Sequence, residues 1–115
     1  MGKSKIPNVL DRRHLIEREL SETQALEIGE AYLEDGRSEE ALIFFEKAGA
    51  SERLREVRVA AVAAGDVFLL RGAARAMGEA PSRDEWAAAQ AAATAAGLVN
   101  YATDAKRQLE VDAEG

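Results

Sequence analysis

The sequence predicts an all-α protein, and three observations support this prediction. Apolar residues recur at helical spacing along most of the chain, and no stretch alternates apolar and polar residues as a half-buried strand would. β-branched residues do not cluster, so strand signals are weak. Helix caps and short glycine turns occur at regular intervals. We therefore predict seven helices, at residues 10–20, 22–34, 39–49, 52–64, 67–77, 83–96 and 98–110.

Two of these helices begin with the residues of a capping box. Ser21 is followed by Gln24, and Ser82 is followed by Glu85. In this motif the serine hydroxyl accepts a hydrogen bond from a backbone N–H of the first turn, and the later side chain accepts one from the serine N–H. We expect helices to start directly after Ser21 and Ser82.

The remaining starts follow breaks in the helical pattern. Ser38 and Asp66 come after short turns at Gly36 and Gly65, and Ser51 follows a break at residues 48–50. Serine and aspartate are favoured N-cap residues because their side-chain oxygens accept backbone hydrogen bonds that the helix leaves unpaired. The sequence predicts an N-cap at each of these three positions.

Length and composition suit one small domain. The chain has 115 residues, of which 47% are hydrophobic and 31% charged, and no apolar run is long enough to span a membrane. There is no cysteine, and the N-terminal residues lack the apolar stretch of a secretory signal. We expect a single cytoplasmic domain at residues 9–111, flanked by flexible segments at 1–8 and 112–115.

Charge is distributed unevenly along the chain. The formal net charge is −6, which argues against nucleic acid as a partner. Ten acidic residues and only two arginines lie between Glu17 and Glu46, whereas six arginines and three acidic residues lie between Arg53 and Arg83. One interpretation is solvated helix surface with ion pairs one turn apart. The alternative is a two-signed surface that orients a charged partner.

Residues 25–48 contain the most specific motif. Small and aromatic residues of two adjacent helices fall at fixed spacing, with Gly29 and Tyr32 on the first and Ala41, Phe45 and Ala48 on the second. This pattern resembles the tetratricopeptide repeat, a 34-residue helical hairpin. The glycines of successive turns are separated by 29 residues, from Gly36 to Gly65, and by 32 residues, from Gly65 to Gly97, close to the same period. The letter-by-letter resemblance covers the first hairpin, and the similarity of the rest is architectural.

The resemblance implies a fold and a function. It implies a short right-handed solenoid of about three antiparallel helix pairs, with the helix at 10–20 as an additional N-terminal cap. In that family the first helix of each pair lines a concave groove that takes a peptide, so we expect a non-enzymatic adaptor or scaffold whose partner presents apolar and some basic side chains. The family's groove positions fall here on Thr23, Leu26, Glu27, Glu30 and Leu33 in the first helix pair, on Arg55, Val59 and Val62 in the second, and on Ala87, Ala91 and Thr94 in the third.

Aromatic residues at helical spacing are expected in the core rather than in a ligand site. They are Tyr32, Phe44, Phe45, Phe68 and Trp86. Gly29 and Ala41 are expected to be small because the two helices of a hairpin approach closely where they cross.

Catalytic and cofactor chemistry finds little support in the sequence. His14 is the only histidine, so a multi-histidine metal site is excluded. No glycine pattern fits a phosphate-binding loop, and no stretch fits a calcium loop. We predict no catalytic residues, no metal and no cofactor. A helical RNA reader of the pentatricopeptide kind would need a basic groove, which the acidic charge disfavours.

The alternative function is self-association. Of the 24 alanines, 19 lie at or beyond residue 60, and the helix at 83–96 is alanine-rich on all sides. Alanine favours helix formation and allows a second chain to approach closely. The same composition also fits a thin helix buried tightly between its neighbours, so a homo-oligomer is one of two interpretations.

Overall fold

The computed structural model describes residues 20–114, and this part of the chain is all-α, as predicted. Six of the seven predicted helices are present, and the seventh, at 10–20, lies outside the described residues. No strand occurs between residues 20 and 114. The helices are α1 (Glu22–Glu34), α2 (Ser38–Ala48), α3 (Ser51–Ala64), α4 (Val67–Met77), α5 (Arg83–Ala95) and α6 (Val99–Glu114). The last of them ends four residues beyond its predicted boundary.

The chain divides into two compact units. The first ends at Leu54 and the second begins at Arg55, so the division falls within α3. The first unit therefore contains α1, α2 and the start of α3, and the second contains the rest of α3 with α4, α5 and α6.

The first unit is built on the close packing of α1 against α2. A Cβ atom at Gly29 would lie 2.7 Å from Cδ1 of Phe45, well inside van der Waals contact. Tyr32 stacks on Phe44 with ring centroids 5.6 Å apart, and both rings are fully buried. The predicted reason for a small residue at 29 is therefore confirmed: the aromatic ring of the second helix occupies the space of a side chain.

Cap geometry confirms three of the predicted helix starts. The hydroxyl of Ser21 accepts from the Gln24 N–H at 3.1 Å, and Ser21 N–H donates to Gln24 Oε1 at 3.2 Å. Ser82 and Glu85 form the same box, at 3.1 and 2.9 Å. Asp66 accepts from the N–H of Leu69 at 3.1 Å. These local motifs set the starts of α1, α5 and α4.

The N-cap predictions at Ser38 and Ser51 are wrong by one residue. The N–H of Ala41 donates to the carbonyl of Arg37, and the N–H of Leu54 donates to the carbonyl of Ala50. The helical hydrogen bonds therefore begin one residue earlier than the serines. Ser38 and Ser51 are the first residues of α2 and α3, and Arg37 makes no side-chain cap.

In the second unit, α3 and α5 run in the same direction. Arg58 of α3 pairs with Glu85 near the start of α5, and Gly65, after the end of α3, touches Ala93 near the end of α5. Arg71 of α4 pairs with Asp104 of α6. The side chain of Arg83, at the start of α5, donates to the carbonyl of Leu109 late in α6 at 3.2 Å, so these two helices are antiparallel.

The core of the second unit is apolar, with one charged exception. Apart from Arg58, its buried side chains are those of Val57, Ala61, Val67, Leu69, Leu70, Ala73, Ala74, Trp86, Ala89, Ala93 and Ala105. The prediction that Phe68 is a core residue is wrong, because this ring is 60% exposed. Residues 67–70 are all apolar, but four consecutive residues point to all sides of a helix. Phe68 lies on the side that faces away from Val67 and Leu70.

The alanine-rich helix α5 is not enclosed on all sides. Its buried residues are Trp86, Ala89 and Ala93. The alanines at 87, 88, 91 and 95 are exposed. The interpretation of α5 as a thin helix buried between its neighbours is therefore wrong for one whole face of the helix.

Candidate functional site

The first part of the candidate site is a stripe on α1 in the first unit. It consists of Thr23, Leu26, Glu27, Glu30 and Leu33, which we call the α1 stripe. Their spacing of three or four residues places them along one face of the helix. Thr23 and Glu27 are exposed, and the other three are half-buried. All five side chains are therefore accessible, as a binding surface requires.

An internal ion pair already uses one acid of this stripe. Arg53, in the first turn of α3, donates from Nε and from Nη2 to Oε2 of Glu30, at 2.9 and 2.8 Å. Both side chains are about 40% exposed, so the pair adds only about 0.5 kcal/mol to stability. The negative charge of Glu30 is nevertheless largely compensated inside the chain.

The second part of the candidate site lies in the second unit, on α3 and α5. The predicted positions are Arg55, Val59 and Val62 on α3, and Ala87, Ala91 and Thr94 on α5. We call these six residues the α3–α5 face. Val62 is half-buried and the other five are exposed. Because α3 and α5 run in the same direction, the positions on α3 and those on α5 follow the same order along the two helices.

Val59 is the most unusual residue of the α3–α5 face. Its apolar side chain is 61% exposed. The residues that share the face are small or apolar except for Arg55 and Thr94. Such a surface offers van der Waals contact and one positive charge, but no group that titrates near neutral pH.

The sequence reasoning missed the principal polar contact of the second unit. Arg58 is only 4% exposed and donates to both carboxylate oxygens of Glu85, each at 2.7 Å. This hydrogen bond, opposed in part by burial, lowers the pKa of Glu85 from 4.5 to about 2. The same pairing raises the pKa of Arg58. The capping box identified Glu85 as a helix-start residue, but nothing local pointed to its partner 27 residues earlier.

Two further features are missing from the described part of the chain. Among residues 20–114, no group of three or more histidine, cysteine, aspartate or glutamate side chains is placed to hold a metal ion. In the same range, none of the helices combines the length and the apolar character needed to cross a bilayer.

No protein-family model, curated protein or solved structure matches this chain.

Proposed function

We propose that this chain is a non-enzymatic interaction module, an adaptor or scaffold, which binds a peptide or protein segment along the accessible faces of its helices. The proposal includes the tetratricopeptide-like architecture, a short solenoid of about three helix pairs. The contact of Gly29 with Phe45 in the first unit supports it, since the repeat needs a small residue where its two helices cross.

The direction of the helices in the second unit also supports a repeat architecture. Stacked helical hairpins place equivalent helices side by side in the same direction, because each hairpin repeats the path of the one before it. The pair α3 and α5 has this relationship. In this proposal α3 and α5 are the first helices of consecutive repeats, and the α3–α5 face is their partner-binding side.

The exposure of Val59 is the observation that carries the proposal. A valine in the middle of a helix that remains 61% exposed is available to a partner, and covering it would contribute about 1 kcal/mol. The neighbouring alanines at 87 and 91 leave room for a side chain of the partner. Apolar contact is thus the better supported part of the predicted partner chemistry, because Glu30 already pairs with Arg53.

A comparative pull-down tests this function. The wild type, Val59→Glu and Val111→Glu are used as baits in a lysate of the source organism, and bound proteins are identified by mass spectrometry. Val111 is a matched control because it is similarly exposed, at 56%, but lies on α6. We expect a partner that the wild type and Val111→Glu retain and that Val59→Glu loses. Identical sets from all three baits would contradict the proposal.

Self-association through α5 is the second candidate function. The exposure of its alanines at 87, 88, 91 and 95 favours it, because small side chains let two helices approach closely. Analytical ultracentrifugation of the wild type and of Ala88→Leu tests the idea. A wild-type dimer that Ala88→Leu dissociates would support it, provided that circular dichroism shows the variant folded. A wild type that stays monomeric at high concentration would exclude it.

A further inference from the structure

The second unit contains a cleft that shares no residue with the α3–α5 face. It is open, with a volume of about 530 Å³, and lies where α4, the α4–α5 loop, α5 and α6 meet. We call it the Trp86 cleft. Its lining residues are Arg71, Ala74, Arg75, Gly78, Glu79, Ala80, Pro81, Trp86 and Gln108.

One wall of the Trp86 cleft is held in a fixed arrangement. The guanidinium of Arg71 lies 5.2 Å from the centre of the Trp86 ring, a cation–π contact. The same guanidinium donates to both carboxylate oxygens of Asp104, with Nη2 to Oδ1 at 3.0 Å. This pairing lowers the pKa of Asp104, and Arg107 contributes to the same effect. Arg71 is thereby oriented and its charge is balanced.

Two other polar side chains of the cleft, those of Arg75 and Gln108, are not paired in this way. Arg75 is exposed and makes no ion pair or hydrogen bond with any other residue of the described chain. Gln108 is half-buried, and its amide has no hydrogen-bond partner among residues 20–114. A guanidinium presents parallel N–H donors that match a carboxylate, and an amide N–H can add another donor. Both groups line the cleft and have donors available for a ligand.

Arg75 is the one guanidinium of the lining that is open to an anionic group. Arg71 is compensated by Asp104, and Glu79, the only carboxylate among the lining residues, makes no ion pair with Arg75. Apart from Gln108, the rest of the lining is apolar and consists of Ala74, Gly78, Ala80, Pro81 and Trp86. The volume lies within the range of pockets that bind small ligands, which is enough for a few side chains.

We propose that the Trp86 cleft binds an acidic segment of a partner protein. An aspartate or glutamate carboxylate of the segment accepts hydrogen bonds from Arg75 and Gln108, and a neighbouring apolar side chain packs against Ala80 and Pro81. This is a second interaction surface, which does not depend on the α3–α5 face. It gives an acidic chain of net charge −6 a local site for acidic ligands.

Selection from a random peptide library tests the proposal and does not require that the partner be identified first. A 12-residue library displayed on phage is selected on the folded protein, and enriched peptides are synthesised. We expect a consensus with aspartate or glutamate beside an apolar residue. Binding is measured by the fluorescence of Trp86, which is the only tryptophan of the chain. A ring in the wall of the occupied site should change its emission on binding.

Two variants, each of which removes one positive charge, show where the selected peptides bind. We expect Arg75→Gln to lower the affinity for the selected acidic peptides at least tenfold. Lys106→Gln, an exposed cation of α6 outside the cleft lining, should change their affinity less than twofold. Arg75 is exposed and unpaired, so the Gln variant should fold, which circular dichroism verifies.

Several results would overturn the proposal. They are a selection that enriches no peptide, a consensus without acidic residues, or equal affinities for the wild type and Arg75→Gln. Val59→Glu separates this site from the proposed function. Peptides that Val59→Glu loses and Arg75→Gln retains belong to the α3–α5 face, and they would count against the cleft.

Discussion

Arg58 and Glu85 form a bidentate ion pair that links α3 to the start of α5. Nε and Nη2 of the guanidinium each lie 2.7 Å from a carboxylate oxygen. The remaining donors bind the carbonyls of Glu79 and Ala80 at 2.8 and 3.1 Å. One buried side chain thus joins the middle of α3, the α4–α5 loop and the capping box of α5. This contact holds the start of α5 against the middle of α3.

The first prediction concerns the stability that Arg58 provides. Arg58→Met keeps an unbranched apolar stem but leaves Glu85 and two carbonyls without their donor. Because Glu85 retains 26% exposure, we expect a loss of about 3 kcal/mol, the low end for a broken buried pair. Urea unfolding measures it. Arg55→Met, an exposed arginine of the same helix, is the control and should cost under about 0.5 kcal/mol. Equal losses of unfolding free energy in Arg58→Met and Arg55→Met would show that the Arg58–Glu85 pair does not stabilise the fold.

The second prediction concerns pH. The pKa of Glu85 falls from 4.5 to about 2 in the folded protein because Arg58 donates hydrogen bonds to its charged form. A lowered pKa in the folded state means that this stabilisation is complete above pH 4.5 and is lost as the pH falls from 4.5 towards 2. The melting temperature is measured at about pH 6, 4, 3 and 2. It should fall more steeply with decreasing pH for the wild type than for Glu85→Gln. Parallel curves would contradict the assignment.

The third prediction compares two glycines with the same backbone conformation. Gly65 and Gly97 have φ angles of +71° and +76°, so a side chain is strained at either position. At Gly65 a Cβ atom would also lie 2.4 Å from the backbone nitrogen of Ala93, whereas at Gly97 nothing lies within 4 Å. We expect Gly97→Ala to cost about 1 kcal/mol and Gly65→Ala at least about 2 kcal/mol more. Similar unfolding free energies would rule out close packing at Gly65.

The fourth prediction concerns the hydroxyl of Tyr32. This group is buried and has no hydrogen-bond partner in the described structure. A buried hydroxyl without a partner opposes folding, so Tyr32→Phe should leave stability unchanged or raise it by about 1 kcal/mol. The ring stack with Phe44 is preserved in the variant. Chemical denaturation measures the free energy of unfolding of both proteins. If Tyr32→Phe lowers it by more than about 1 kcal/mol, the hydroxyl has a favourable partner.

Much of the fold could be predicted because its determinants are local. The capping boxes at Ser21 and Ser82 and the contact of Gly29 with Phe45 depend on residues within one helix or one hairpin. Phe68 was predicted wrongly because its apolar neighbours made the whole run look buried. Only the packing of α4 shows which side of that run faces the core.

The accessibility of the candidate positions could be predicted from the sequence, but their charge pairing could not. All eleven residues placed in the predicted groove are accessible, because residues three or four apart share one face of a helix and that face is uncovered. The pairing of Glu30 with Arg53 joins residues 23 apart, and that of Arg58 with Glu85 joins residues 27 apart. Such pairs depend on which helices meet, and the composition of either segment alone does not contain that information.

Site-specific photo-cross-linking tests most directly whether the α3–α5 face is a binding surface. Benzoyl-phenylalanine is introduced at position 59 in one variant and at position 111 in another, and cells that produce each protein are irradiated. We predict a cross-linked product of higher mass at position 59 that is missing at position 111. No product at position 59, or the same products at both positions, would contradict the account.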